Sequence, residues 1–151
     1  MTKIKLGDIF EIDTPKGKAY LHYIYNDKTV GDLVRVLPGL YEERPLTIEK
    51  LASEKESFVV FFPVSTAYKK KVVQYVGTSN DAVFAKPKFM RTQHNIRGEF
   101  LGWHIIDTET WHRELVKNLN TEQKQLSPWG IWNSNLLVAN LSKGWSLENW
   151  G

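Results

Sequence analysis

Short runs of apolar, aromatic and β-branched residues, cut at close intervals by Gly, Pro, Asn and Asp, make up the N-terminal part of the chain. Gly7-Asp8-Ile9-Phe10-Glu11-Ile12-Asp13 is followed by the turn Thr14-Pro15-Lys16-Gly17 and then by Lys18 to Tyr25. A second turn from Asn26 to Gly31 leads into Asp32-Leu33-Val34-Arg35-Val36-Leu37-Pro38-Gly39. This pattern predicts a meander of antiparallel strands. With a period of two, Phe10 and Ile12 share one face, and Ala19, Leu21, Tyr23 and Tyr25 share a face of the returning strand, with His22 and Ile24 opposite.

The pattern changes after Pro45. Ile48, Leu51 and Ala52 stand at i, i+3 and i+4, which predicts a short helix over 47–54 with its charges outward. Phe58-Val59-Val60-Phe61-Phe62-Pro63-Val64 has no polar alternate. That suits a core strand covered on both faces, with Pro63 at its end or at an edge because proline cannot donate to a ladder. Val72 to Gly77 reads as another strand, closed by the loop Thr78-Ser79-Asn80-Asp81. From Phe84 to Gly98, Pro87 and the mixed polar residues predict an extended segment with little regular structure.

Leu101 to Asp107 predicts a strand with Leu101, Trp103 and Ile105 on one face and His104 and Ile106 on the other. Trp111, Leu115, Val116 and Leu119 have helix spacing, and Thr121 to Leu126 reads as a short helical turn broken by Pro128. Ser134 to Ser142 predicts a helix with the stripe Leu137, Val138 and Leu141 and with Gly144 at the left-handed position past its end; a strand is the alternative there. The sum is one α+β domain: a strongly bent, barrel-like antiparallel sheet with an SH3-like meander at its N-terminus and helices in its C-terminal third.

Composition alters this picture little. Of the 151 residues, 42% are hydrophobic and 25% charged, ordinary globular values for a chain that can build a core without staples. The aromatic share, 13% with six Trp, is high, and large rings serve both cores and binding surfaces. The absence of cysteine excludes disulfides and thiolate chemistry and fits a reducing cytosol. The residues from Met1 to Asp8 lack the apolar core of a signal peptide, and no apolar run nears the roughly 20 residues a membrane span requires. The expectation is a soluble, cytoplasmic protein without a membrane partner.

The net charge of +3 is unevenly placed: residues 57–96 carry Lys69, Lys70, Lys71, Lys86, Lys88 and Arg91 against Asp81 alone. Together with Tyr68, Tyr75, Phe84 and Phe89, these cations interleave with rings in the way that lets single-strand binders track phosphates and stack bases. The competing reading is a solvated turn whose lysines guard a strand edge, and the small charge of the whole chain favours it. Trp129 and Trp132, with Trp145 and Trp150, either form a binding patch or cap the core and dock the tail.

Catalytic chemistry has little support. The histidines His22, His94, His104 and His112 are dispersed, and only His104 and His112, near Asp107, Glu109 and Glu114, could form a metal or general-base site; their spacing matches no zinc pattern. The glycines fall at turns and cradle no phosphate, and no serine or threonine sits in a nucleophile signature. No metal, cofactor or catalytic residue is expected.

The opening Gly7-Asp8-Ile9-Phe10-Glu11-Ile12, the Lys16-Gly17 turn, Ala19-Tyr20-Leu21 and Val34-Arg35-Val36-Leu37 resemble the immunity protein 26 family of bacterial polymorphic toxin systems. So do Phe58 to Val64, Lys71-Val72-Val73-Gln74-Tyr75-Val76-Gly77 and Lys86-Pro87-Lys88-Phe89. The resemblance covers roughly residues 5–91; Trp129-Gly130-Ile131-Trp132-Asn133 and Gly144-Trp145 lie outside it. It implies a small cytoplasmic, non-catalytic protein that binds the effector domain of a cognate toxin and blocks it by occlusion. A nucleic-acid-binding module using the segment 68–91 is the alternative. The basic character of that segment speaks against a nuclease as the toxin, because nuclease inhibitors favour acidic surfaces that mimic the substrate.

Overall fold

A computed structural model describes residues 3–82 and 84–150. Its first half follows the predicted meander. Strands β1 (Asp8–Thr14), β2 (Gly17–Asp27), β3 (Gly31–Val36) and β4 (Phe58–Phe61) pair in succession, and β5 (Val73–Thr78) returns to the free side of β1, giving an open antiparallel sheet ordered β4-β3-β2-β1-β5. The sheet bends at bulges between Ile9 and Phe10 and between Tyr23 and Tyr25, without closing into a barrel among the described residues. Helix α1 (Ile48–Ala52) lies between β3 and β4 and buries the predicted Ile48, Leu51 and Ala52.

In the apolar run at 58–64 every residue except the exposed Pro63 is buried, although β4 lies at the sheet edge. Pro63 ends it and caps a second helix, α2 (Val64–Lys69), which crosses the sheet from β4 to β5. Alternation splits the buried side chains between two faces. Phe10, Ile12, Leu21, Val34, Val36, Phe58, Val60 and Phe62 meet α2 and α3 (Ser134–Ser142) on one side. On the other, Ile9, Tyr20 and Leu37 lie under α1, and Ile24, Leu33, Val59 and Phe61 meet Met90.

Met90 belongs to a second antiparallel sheet, β6 (Phe89–Ile96), β7 (Glu99–Asp107) and β8 (Arg113–Val116). Two expectations are corrected here. The segment 84–98, read as irregular, contains β6: after Pro87 its backbone pairs with β7 from Phe89↔Asp107 to Ile96↔Glu99, through a turn in which Arg97 and Gly98 both adopt positive φ (52° and 81°). Such a turn matches the twist of its strands. The helix expected from Trp111 to Leu119 is strand β8, because the Asp107 carboxylate accepts from the amides of Glu109 and Thr110 and Trp111 adopts φ 64°, turning the chain back along β7.

The 127–132 segment is a strap that closes both sheets. Arg91 N–H donates to Ser127 O and Trp129 N–H to Arg91 O on β6, while Trp132 N–H donates to Phe61 O on β4. The strap thus covers two otherwise open edges, each a site for unwanted pairing. Gln123–Gln125 form the short helical turn expected before Pro128. Helix α3 follows the strap. Asn133 caps its start by accepting from Leu136 N–H, and its end is closed by Gly144 N–H to Leu141 O and Trp145 N–H to Asn140 O. Among the described residues no helix is long and apolar enough to cross a membrane.

Candidate functional site

Most buried polar side chains are hydrogen-bonded within the fold. On the α1 side of the first sheet, Glu11 accepts from Tyr20 Oη (2.8 Å) and Arg44 Nε (2.9 Å) and pairs with Lys18. Burial raises its pKa, but the hydrogen bonds from Arg44 and Tyr20 outweigh it and hold the carboxyl below its ordinary value. One strand over, His22 is fully buried. Its Nε2 lies 2.8 Å from Ser79 O, an acceptor only, and its Nδ1 lies 2.8 Å from Arg35 Nη1, a donor only, so the ring is the neutral Nε2–H tautomer. Burial, seconded by the Arg35 charge, pushes its pKa below 6.5. Arg35 also donates to Glu56, Ala52 O and Glu54 O, tying the α1–β4 loop to the sheet.

The basic and aromatic residues singled out in the sequence do not share one surface. Lys69, Lys70 and Lys71 are exposed at the end of α2, where Tyr68 packs edge-on against Phe10. Helix α2 takes the place of the solvated turn read there, since Pro63 and Val64 start it and Val64 and Ala67 bury its inner face. Lys86 is on the opposite side of the sheet: its Nζ pairs with Asp27 at 2.9 Å and lies 4.8 Å from the Trp111 ring centroid. Lys88 is exposed above Phe89, and Arg91 is fully buried. Trp132 packs on Phe58 and Trp145 within the core, and half-buried Trp129 meets Phe61 and Trp111. Those two rings join the strap to the sheets, the capping role of the two weighed for them.

Asp107 and His112 meet across the turn through Asp107 N–H to His112 O (2.9 Å), but His104 does not join them. Facing residues of antiparallel strands share a side: His104 faces Thr92 and Leu115, and its ring stacks on His94 with centroids 4.4 Å apart. Asp107, three positions on, points to the other side, where its turn amides hold its carboxyl below the usual range. No three acidic or histidine residues among those described gather in a way that could hold a metal ion.

Two features of the second sheet escaped the sequence reading. Large apolar side chains stay exposed at Ile96, Phe100 and Leu101 around the β6–β7 turn, at Leu115 on edge strand β8, and at Phe89 at the far end of β6. Opposite the histidine pair, the Arg91 guanidinium lies between the rings of Trp103 (4.6 Å) and Trp150 (4.3 Å), on the wall of a cleft of about 430 Å³. A cation written into a strand reads as surface; only the pairing of β6 with the strap shows that Arg91 faces inward. No protein-family model, curated protein or solved structure matches the chain.

Proposed function

We propose that this chain is a non-catalytic binding protein that neutralises a cognate toxin by docking on its effector domain, as the resemblance of residues 5–91 implies. The observation that supports this reading is the placement of exposed apolar side chains. Five of the twelve large ones among the described residues, Phe89, Ile96, Phe100, Leu101 and Leu115, belong to three strands of eight, nine and four residues. Ile96 and Leu115 share the face of His94 and His104 with Glu99 and Arg113, so on that face apolar anchors stand beside charged residues, as in interfaces that form and dissociate between folded proteins. The sheet that carries them is held by the Met90 contact and by the strap, and a rigid platform limits the ordering cost of association.

The test is co-expression with a toxin effector domain encoded beside the gene, the partner that the resemblance implies. Wild-type protein restores growth, and the double variant Ile96→Glu, Leu115→Glu, altered only at exposed positions, accumulates to the same level and fails to rescue. Continued killing in the presence of the wild-type chain, or full rescue by the double variant, would sink the reading.

A second reading keeps some support from the exposed Lys69, Lys70 and Lys71 beside Tyr68, which shares a shallow cleft with Lys3. It requires single-stranded nucleic acid to bind with an affinity that falls steeply with salt.

A further inference from the structure

Two arginines are buried, and they are provided for differently. Arg35 has the Glu56 carboxylate 2.8 Å from its Nε, and each of its nitrogens has an acceptor. Arg91, the largest fully buried side chain, has no carboxylate partner among the described residues. Its Nε donates to Leu126 O at 3.1 Å and its Nη2 to Lys124 O and Leu147 O at 3.1 and 3.2 Å, while Nη1 has no partner. Carbonyl dipoles and two ring faces offset part of the cost of burying this cation. They leave an unopposed charge and a nitrogen with two idle N–H groups, each costly out of water. Desolvation without an acid lowers its pKa to about 10.

The cleft beside it is correspondingly basic. Lys117 and Lys124 line it with Arg91, Glu148 is the one acid on its wall, and Phe100, 46% exposed, offers a ring beside Trp103. Its volume is that of a small-molecule site, with aromatic walls and a few convergent polar groups. Trp150 closes it from the 145–150 segment. That segment is anchored by Trp145 and Leu147 on the core and by the Arg91–Leu147 O bond, while past Leu147 only local hydrogen bonds of Asn149 hold it, so the terminal Trp150 ring can move without unfolding a strand.

We propose that this cleft binds a small aromatic anion, a carboxylate or phosphate carried on a planar ring, with the anionic group on Arg91 Nη1 and the two lysines and the ring against Phe100. Phe100 also belongs to the exposed apolar side chains counted for the docking reading, but the site does not rest on that reading. Because Nη1 is out of contact with solvent, the anion reaches it as Trp150 swings aside, and tryptophan emission reports the event.

The experiment is titration of the full chain with benzoate, phenyl phosphate and neutral benzamide at low ionic strength, followed by calorimetry and tryptophan fluorescence. At least one anion binds with one-to-one stoichiometry and a Kd of about 1 mM or tighter, at least tenfold better than benzamide. Benzoate preferred over phenyl phosphate identifies a carboxylate ligand, and the reverse a phosphate. Lys117→Ala with Lys124→Ala, both at exposed positions, weakens binding about tenfold, and Phe100→Ala weakens benzoate and benzamide alike. Arg91→Met abolishes anion binding if it folds; the lysine pair decides the matter if it does not. Absence of saturable binding by both anions, equal binding of benzamide, or an unchanged affinity in the lysine variant would overturn the proposal.

Discussion

A buried neutral histidine makes stability depend on pH in a direction that can be worked out. His22 is held as the Nε2–H tautomer between Ser79 O and Arg35, and its pKa in the folded chain lies below 6.5. The unfolded chain therefore takes up the proton first. His22 costs nothing above pH 6.5, and as pH falls toward the folded-state value it removes stability at up to about 1.4 kcal/mol per pH unit. His104, pushed down by burial and by His94 and Arg113, adds to the loss in the same sense. Urea midpoints of the wild type fall between pH 7.5 and 5, and His22→Gln flattens the profile; an equally steep profile in the variant would remove His22 from this account. A second position is set by close approach. Gly102 has φ 134°, and a Cβ there would lie 2.6 Å from Val116 O on β8. Gly102→Ala is expected to cost about 1–3 kcal/mol through strain and a displaced β8, seen as a lower midpoint.

Elements whose local and tertiary preferences agree were legible in the sequence; those set by a distant partner were not. β1 to β3 are runs rich in apolar and aromatic residues between Gly and Asn turns, and α3 carries its cap, stripe and terminal glycine in the sequence itself. β6 does not alternate in any readable way, since a buried Arg91 stands where an apolar residue would mark the inner face and Thr92, Gln93 and His94 follow it. β8 fails differently: Trp111, Leu115 and Val116 have helix spacing by accident, because Trp111 serves the Lys86 and Trp129 contacts before the strand begins. The candidate cleft was invisible for the same reason, its residues being gathered from β6, β7 and two irregular segments. The strap and α3 give element-scale tests. Asn133→Ala removes the acceptor for Leu136 N–H and costs about 1 kcal/mol. Trp132→Ala empties the space between Phe58 and Trp145 and costs about 3–5 kcal/mol. Both lower the denaturant midpoint without changing its slope, and a smaller loss for Trp132→Ala than for Asn133→Ala would show that the strap is not part of the core.

At the scale of the molecule the open question is whether the two sheets unfold together. The second sheet needs a packed apolar face to be stable, and it gains one from Met90 in the cluster of Ile24, Leu33, Val59 and Phe61, with further support from the strap and from Lys86 held by Asp27. The first sheet needs the same strap to cover β4 and to bring Trp132 and α3 onto its core. Each sheet thus completes the other, which predicts one cooperative transition. The sequence supplies the probe: all six Trp fall at or after Trp103, and all six Tyr at or before Tyr75. Tryptophan emission therefore follows the second sheet, the strap and the C-terminal segment, while amide exchange of β1 to β3 follows the meander. The two should report one midpoint in urea, and Met90→Ala should lower both by the same amount. Tryptophan emission changing first, with β1 to β3 still protected, would mean that the second sheet and strap detach as a unit from a meander that stands without them.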